Sequence, residues 1–276
     1  ENMDDFHYII HAASIASPIY YRQHPIETMD ANVYGLRHFL DYCLEQKRKG
    51  APLDGFLFYS TSEIYGDPTP ENIPTPEDYR GNVSCTGPRA CYDESKRYGE
   101  TLCVNFAQQH DLPIRIARPF NNYGPGLKIS DRRALPDFAR NVLAGEDIVL
   151  LSDGAPTRTF CYVADAVVGY YKILIRGQDG ESYNIGIDKP EISVRELAER
   201  VIEKARDLLA RYGDWCDHVT SRLPDDQMQQ MLNTEFGGMN EIFANLYADT
   251  GDPRWLILSR KFEHHAFTQP LKRHQD

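Results

Sequence analysis

Residues 56–66 read Phe-Leu-Phe-Tyr-Ser-Thr-Ser-Glu-Ile-Tyr-Gly, a short apolar run followed directly by polar residues. A short apolar run that gives way to polar residues is typical of a buried strand of a parallel sheet. Ser60 and Glu63 would then lie just beyond the carboxyl end of that strand, where open α/β sheets bind their ligands. This stretch therefore predicts a parallel α/β fold with a ligand site at residues 60–63.

The chain around this stretch alternates short apolar runs with helical stretches from Phe6 to about Arg200, the pattern of a parallel α/β sheet. The predicted strands are His7–Ala13, Phe56–Tyr59, Ile114–Ala117, Ile148–Leu151 and Tyr183–Ile187. The predicted helices are Ile26–Lys47, Tyr92–Gln109, Ala134–Ala144, Ala164–Ile175 and Val194–Tyr212. Apolar spacing after Tyr212 favours helices only, the last beginning near Pro253. We therefore expect two domains, residues 1–205 and 206–276, with the boundary inside a predicted helix.

The composition is that of an ordinary globular protein, with 41% hydrophobic and 26% charged residues in 276. A net charge of −11 argues against non-specific binding to nucleic acid, which needs a basic surface. No apolar run approaches a membrane span, and residues 1–5 do not resemble a signal peptide, so a cytoplasmic location is expected. The six cysteines include no C-x-x-C pair, and we expect them to be reduced.

Tyr92 and Lys96 form a Y-x-x-x-K element in one of the predicted helices. On a helix the phenol and the ammonium stand one turn apart on the same face. The cation would favour the ionised phenolate and so lower the phenol's pKa, which makes a usable base for chemistry on a hydroxyl group. Because this spacing is common by chance, it supports that function only together with its structural context.

Five ordered motifs over about two thirds of the chain resemble the extended short-chain dehydrogenase/reductases that act on nucleotide sugars. These motifs are His11-Ala12-Ala13-Ser14, the run from Ser60 to Asp67, Gly87-Pro88-Arg89-Ala90-Cys91-Tyr92-Asp93-Glu94-Ser95-Lys96-Arg97, the run from Arg118 to Gly126, and Thr157-Arg158-Thr159-Phe160-Cys161-Tyr162-Val163. The resemblance implies a Rossmann-type parallel sheet, NAD as cofactor, a nucleotide-diphosphate sugar as substrate and a homodimer for the full domain.

The resemblance also implies a role for each matching residue. Tyr92 would take the proton from the sugar 4-hydroxyl while hydride passes to NAD, Lys96 would hold the nicotinamide ribose, and Thr61 would complete the hydrogen bonding of that hydroxyl. The other residues implied to contact NAD are Ala12, Ala13, Asn32, Ser60 and Pro119.

Asn121 and Arg158 would contact the diphosphate of the nucleotide, where a planar donor fork suits phosphate oxygens. Taken alone, Arg158 fits a surface ion pair and Asn121 fits a turn before Gly124. Their order in the chain behind Tyr92 and Lys96 favours the binding role.

The residues after Ser60 distinguish members of this family. A 4,6-dehydratase resembles Thr-Asp-Glu here, and 4-epimerases generally lack the glutamate, whereas this chain has Thr61-Ser62-Glu63. That pattern is most similar to UDP-glucuronate decarboxylases, in which a 4-keto intermediate loses carbon dioxide and is then reduced to UDP-xylose. Ser62 and Glu63 would position the carboxylated ring. The alternatives are a 4-epimerase, a 4,6-dehydratase or an inactive chimeric chain, with Glu63 a solvated loop carboxylate.

The sequence departs from the family pattern at both ends. No G-x-x-G-x-x-G loop for a pyrophosphate occurs, and residue 7 corresponds to the start of the family's fourth strand. We therefore expect a partial Rossmann-type parallel sheet that lacks its first strands and its glycine-rich loop, followed by a C-terminal α-helical hairpin. The strand at His7–Ala13 would then have an unpaired edge and exposed apolar surface.

The segment after residue 205 resembles part of the helical toroid of β-L-arabinofuranosidase-type glycoside hydrolases, on the stretches Leu223–Glu241 and Tyr247–Pro253. We assign it no catalytic role, and we interpret Glu235 and Glu241 as structural and surface acids rather than as a pair for glycoside cleavage. We also expect no metal site at Glu263-His264-His265, because adjacent histidines on a helix point about 100° apart.

Overall fold

The computed structural model describes residues 6–150, 152–234 and 238–272. It divides into two compact units, Glu1–Ala198 and Glu199–Asp276, and the boundary lies within one long helix, Val194–Thr220.

The first unit alternates strands and helices as the sequence predicts. Its strands are β1 (Tyr8–His11), β2 (Gly55–Tyr59), β3 (Ile114–Pro119), β4 (Asn122–Tyr123), β5 (Thr157–Arg158), β6 (Cys161–Tyr162), β7 (Ser182–Ile185) and β8 (Ile192–Ser193). Its helices are α1 (Pro18–Gln23), α2 (Pro25–Asp30), α3 (Leu36–Arg48), α4 (Ala90–His110), α5 (Ala134–Ala144), α6 (Val163–Arg176) and the start of α7 (Val194–Thr220).

Four of these strands form a parallel sheet in the order β1-β2-β3-β7. Its central strands are buried on both faces, which is why Phe56, Leu57 and Phe58 read as one continuous apolar run. Phe56 and Phe58 pack with side chains of α3 and α4 on one face, and Leu57 packs with α6 on the other. The predicted α/β class is confirmed, and the carboxyl ends of the strands share one edge of the sheet.

Two predicted elements differ in the structure. The predicted strand Ile148–Leu151 is wrong for residues 148–150, which join no ladder and leave Val149 66% exposed, while Leu151 lies outside the described residues. The predicted helix Ile26–Lys47 is interrupted by a π-helical segment, Ala31–Gly35. This wider turn buries Asn32 completely, and its Nδ2 donates a hydrogen bond to Ser95 Oγ at 2.8 Å.

Strand β1 is the outer strand of the described sheet, as predicted. It pairs with β2, and Tyr8 and Ile10 on one of its faces are 47% and 43% exposed. His11 lies on the other face, buried among Phe39, Phe56 and Phe58. Burial lowers the pKa of this histidine to about 4, so the imidazole is neutral at physiological pH.

The second unit is helical, as predicted for the tail. It contains the rest of α7 with α8 (Asp225–Thr234), α9 (Met239–Thr250), α10 (Pro253–Lys261) and α11 (His265–Lys272). Its core is formed by Cys216, Phe243, Leu246, Trp255 and Leu258. The Asp252 carboxylate accepts a hydrogen bond from the Arg254 amide at 3.0 Å and so caps α10, with Pro253 in its first turn. Glu235 lies outside the described residues.

Helix α4 approaches strand β2 closely at Gly99. A β-carbon there would lie 2.7 Å from Cζ of the Phe58 ring and 3.2 Å from Leu36 Cδ2, so glycine is required by the packing. Because Tyr92 and Lys96 lie on this helix, the same approach sets their distance from the sheet.

We expect Gly99→Ala to lower the free energy of unfolding by about 1–3 kcal/mol, since the added methyl group overpacks the contact with Phe58. The matched control is Gly35→Ala, where a β-carbon would meet nothing within 4 Å. That change should raise stability by about 0.5–1 kcal/mol, because alanine is the better helix former. Urea unfolding followed by circular dichroism measures both, and equal effects would contradict this account of Gly99.

Candidate active site

A cavity of about 550 Å³ lies in the first unit, lined by residues that follow β1, β2 and β3 and by the start of α4. The predicted site residues that line it are Ala12, Ser60, Thr61, Ser62, Glu63, Tyr92, Lys96, Pro119, Asn121 and Arg158. Ala13 and Asn32 do not line it. The structure therefore brings together most of the predicted site at the carboxyl edge of the sheet, where the strand pattern placed it.

Tyr92 and Lys96 lie one turn apart near the start of α4, and both are buried. Lys96 Nζ donates a hydrogen bond to the Tyr59 carbonyl at 2.7 Å, and it lies 5.9 Å from the centre of the Tyr92 ring. The Tyr92 hydroxyl is hydrogen-bonded to Thr61, and the Tyr21 ring stacks on Tyr92 at 5.2 Å between centroids. The phenol is thus fixed in orientation by two neighbours.

Burial shifts the pKa of Tyr92 and the pKa of Lys96 in the directions that favour their neutral forms. It raises the pKa of Tyr92 to about 12, although the hydrogen bond from Thr61 acts in the opposite direction. It lowers the pKa of Lys96 to about 8, opposed by Cys103 and Glu100. The Lys96 ammonium is directed at the Tyr59 carbonyl and burial dominates the pKa of Tyr92, so the lowering of that pKa by Lys96 stays a prediction.

Glu63 stands in a turn that the sequence builds directly after β2. The Thr61 hydroxyl accepts a hydrogen bond from the Glu63 amide at 3.2 Å and caps the turn Ser62–Tyr65. The Glu63 carboxylate forms an ion pair with Arg89, which also lines the cavity. The side chain of Glu63 is 38% exposed, so it is a half-buried, paired group rather than a solvated loop carboxylate.

Arg89 is a site residue that the sequence reasoning missed. Its Nε lies 3.7 Å from Asp93 Oδ2, so two carboxylates share one guanidinium beside Tyr92. The sequence feature that could have indicated this role is the position of Arg89 one turn before Tyr92, at the start of the helix that carries Tyr92.

Glu100 and Arg118 form a second pair that the sequence reasoning missed. Arg118 donates to both carboxylate oxygens of Glu100, at 2.9 and 2.6 Å, and both residues are buried. The Ser60 hydroxyl donates to the same carboxylate, and Arg118 donates to the Tyr65 hydroxyl at 2.7 Å. The sequence feature that could have indicated this pair is a charged residue in an otherwise apolar setting: Glu100 at an apolar position of a helix and Arg118 in a buried strand.

The remaining predicted residues occupy different settings. Asn32 is buried behind the cavity wall, where it holds Ser95 on α4. Ala13 lies exposed in the loop after β1. Arg158 lies exposed in β5, which pairs with β8, and its guanidinium donates to the Thr157 carbonyl at 2.6 Å. Asn121 lies two residues after the end of β3, with a φ of 26°.

The cavity fits the nicotinamide end of a dinucleotide. Ser14 Oγ and Asn122 Oδ1 are buried without hydrogen-bond partners at residues that line it, and the Lys96 ammonium has donor capacity beyond its bond to Tyr59. These polar atoms suit ribose hydroxyls and an amide, while Ala12 and Pro119 supply apolar contact.

Two further features of the described residues bear on function. No group of three or more histidine, cysteine, aspartate or glutamate side chains in the described ranges could hold a metal ion. Across the same ranges, no helix combines the length and the apolar character that crossing a membrane requires.

Comparison with known families identifies the chain. Residues 1–186 match the NAD dependent epimerase/dehydratase family, and residues 181–276 match the beta-L-arabinofuranosidase, GH127 catalytic domain. The first match covers more than half of the chain, and the chain therefore belongs to the NAD dependent epimerase/dehydratase family. The predicted family is confirmed, and the predicted cofactor, NAD, is the one for which this family is named.

Within this family, the chain is similar to UDP-glucuronic acid decarboxylases. UDP-glucuronic acid decarboxylase 5 of Arabidopsis thaliana is 45% identical over 195 residues, which cover 71% of this chain and 54% of the relative. UDP-glucuronic acid decarboxylase 1 of Danio rerio is 39% identical over 226 residues, which cover 81% of this chain and 52% of the relative. The chain spans about half the length of the curated relatives it matches.

Solved structures share the fold of the first unit. UDP-glucose 4-epimerase of Thermotoga maritima, solved with UDP-glucose, gives a TM-score of 0.64 at 25% identity, over 71% of this chain and 60% of that one. A dTDP-glucose 4,6-dehydratase of Bacillus anthracis, solved with NAD, gives 0.60 at 25% identity, over 72% and 57%.

The burial of Lys96 predicts a stability cost that depends on pH. Below about pH 8, Lys96 carries its proton in both the folded and the unfolded chain, and the cost of burying the charge is fully present. As the pH rises from about 8 to its ordinary pKa of 10.5, the folded chain releases the proton first and the cost disappears.

We therefore expect Lys96→Met to raise the free energy of unfolding at pH 7 by about 2 kcal/mol, after allowing for the lost hydrogen bond to Tyr59. The gain should shrink steadily between pH 8 and 10.5. Urea unfolding at several pH values measures it, with the exposed Lys172→Met as control. A gain that grows with pH would contradict the assignment.

Proposed function

We propose that this chain carries the sugar-oxidising site of a nucleotide-sugar decarboxylase, which converts UDP-glucuronate to UDP-xylose through a 4-keto intermediate with NAD as cofactor. The observation that carries the proposal is the Glu63–Arg89 pair beside Tyr92 at the cavity wall. In this pair a guanidinium, the donor fork that best fits a carboxylate, lies next to Tyr92, the proposed base.

The first step needs a base and a fixed hydroxyl. Tyr92, as phenolate, takes the proton from the sugar 4-hydroxyl. Thr61, which hydrogen-bonds the Tyr92 hydroxyl in the structure, would hold the sugar 4-oxygen in the same place. NAD, when bound, would supply the hydride acceptor for C4 and the source of hydride for the final reduction of the ketone. Lys96 and Ser60, with Ala12 and Pro119, would hold its nicotinamide end.

The second step is the loss of carbon dioxide from the resulting β-keto acid. The bond between C5 and the carboxyl carbon breaks, its electron pair passes to the C4 oxygen as an enolate, and a proton then adds at C5. Hydrogen bonds from Thr61 and protonated Tyr92 stabilise that enolate. Ser62 and Glu63, beside Arg89, position the carboxylated ring.

Exposed arginines support a nucleotide diphosphate as the other part of the substrate. Arg158, Arg132 and Arg133 line the cavity together with Asn121, in a chain whose overall charge is −11. Local cations of this kind offset the net negative charge for an anionic ligand.

Two alternatives stay open within the family. A 4,6-dehydratase needs an acid near the departing 6-hydroxyl, and Ser62 occupies the cavity position where such an acid would stand. A 4-epimerase that acts on a neutral sugar would have no substrate carboxylate for Arg89 to bind. The homodimer, the cytoplasmic location and the reduced state of the cysteines stay predictions.

The test is binding and turnover with defined substrates. We expect saturable NAD binding by calorimetry, and release of carbon dioxide with formation of UDP-xylose from UDP-glucuronate, measured by mass spectrometry. UDP-glucose and dTDP-glucose are the comparison substrates, and 4-epimerised or dehydrated products would favour the alternatives. No NAD binding up to millimolar concentration would overturn the proposal and favour an inactive chain. We expect no release of p-nitrophenol from an arabinofuranoside.

We expect Tyr92→Phe to reduce turnover by on the order of 10²–10⁴-fold, because the change removes the group that transfers the proton. The aromatic ring and its stacking with Tyr21 are retained, so near-ultraviolet circular dichroism and urea unfolding should change little. Tyr98→Phe, an exposed tyrosine on the same helix, is the control and should retain activity. Full activity in the Tyr92 variant would show that another group is the base.

A further inference from the structure

Asp93 is a buried carboxylate that the steps above do not use. It is 7% exposed and lies in the first turn of α4, directly after Tyr92. It is not among the residues that line the cavity, and its Oδ1 is buried without a hydrogen-bond partner. A buried, unsatisfied carboxylate is costly, so its retention beside the base calls for a physical reason.

The nearest cation to Asp93 is Arg89. Asp93 Oδ2 lies 3.7 Å from Arg89 Nε, which is itself buried and without a hydrogen bond. The other end of the same guanidinium, Nη2, pairs with Glu63 at the cavity wall. Arg89 is therefore held between an acid that faces the cavity and an acid that lies behind it.

The two carboxylates differ in what a ligand can do to them. An anionic ligand that approaches Arg89 from the cavity competes with Glu63, whose side chain is 38% exposed. It cannot replace Asp93, which is 11% exposed at its side chain and does not line the cavity. When an anionic ligand takes the place of Glu63 on Arg89, the contact between Arg89 and Asp93 therefore persists.

We propose that Asp93 is a positioning residue that holds Arg89 from behind, so that its guanidinium stays at the cavity wall when a sugar carboxylate takes the place of Glu63. The inference rests on the proposed function for the identity of that carboxylate, whereas the hold of Asp93 on Arg89 is a property of the fold. Asp93 acts through Arg89 and touches neither the substrate nor the reacting atoms.

The charged and titratable groups that face Asp93 define its pH response. They are Arg89 at the start of its own helix, Cys91, Tyr92 and Glu94 on that helix, Glu63 on the turn after β2, and Tyr21 on α1. Burial, with Glu63 and Glu94, raises its pKa to about 6 against the opposing effect of Arg89. As the pH falls through about 6, the carboxyl group becomes neutral and its hold on Arg89 weakens.

The variant that tests this is Asp93→Asn, which keeps the shape and removes the charge. We expect the Kd and the KM for UDP-glucuronate to rise about tenfold, with kcat changed less than about threefold and the Kd for UDP-glucose unchanged. In the parent protein the KM should rise as the pH falls through about 6, and in the variant this inflection should be absent. Glu94→Gln, a half-exposed acid on the same helix, is the matched control and should keep the Kd and KM of the parent near neutral pH, with the KM inflection retained but moved to lower pH because Glu94 helps raise the pKa of Asp93.

A second measurement does not depend on activity. The ¹⁵N resonance of Arg89 Nε, assigned by its loss in Arg89→Lys, should shift in Asp93→Asn and stay in place in Glu94→Gln. An unmoved resonance, or an equal weakening for UDP-glucuronate and UDP-glucose, overturns the positioning role. A shifted resonance in a protein that does not turn over UDP-glucuronate would instead support the positioning of Arg89 while rejecting the proposed function.

Discussion

The buried ion pair between Glu100 and Arg118 is the contact on which the geometry of the cavity depends. Glu100 lies one turn after Lys96 on α4, and Arg118 lies on β3, so their two hydrogen bonds join helix to sheet. Through Ser60 and Tyr65 the same pair reaches both ends of the turn that carries Glu63. A buried pair is weak evidence for stability, since desolvation offsets much of its attraction. The pair instead fixes the position of α4 relative to β3 and the turn Ser62–Tyr65, because both charges are satisfied only when these elements are aligned in this way.

Burial that fixes the site also works against its chemistry. At neutral pH, a pKa of about 12 keeps Tyr92 protonated and a pKa of about 8 leaves Lys96 mostly charged. The ammonium is therefore present as a donor, and the phenol needs further stabilisation before it can act as a base. Thr61 already hydrogen-bonds the phenol in the favourable sense. A site that carries a buried ammonium at a cost in stability is typical of a catalytic rather than a structural role.

Sequence reasoning located the sheet and most of the residues that line the cavity, because both depend on burial and chain order. The run from Phe56 to Tyr59 is apolar because both faces of β2 are covered, and the residues that follow it reach the cavity for the same reason. The run at residues 148–150 is equally apolar but has no strand beside it, since hydrophobicity does not specify a pairing partner. Arg89 and Glu100 were missed because their roles depend on partners distant in sequence, Glu63 and Arg118, and no local sequence pattern indicates such a pairing.

The half-buried setting of the Glu63–Arg89 pair suits the proposed reaction better than a fully buried ion pair would. A β-keto carboxylate loses its charge as it becomes carbon dioxide, so any group that binds the carboxylate tightly stabilises the ground state more than the transition state and slows the step. Arg89 is 36% exposed and already shares its charge with Glu63 and Asp93, which limits that stabilisation. In the proposed reaction, a Glu63 that yields Arg89 to the sugar carboxylate would remain as a second anion beside the ring, and the departure of carbon dioxide would relieve their repulsion. The same three side chains can therefore attract a carboxylated sugar and still favour the loss of its charge.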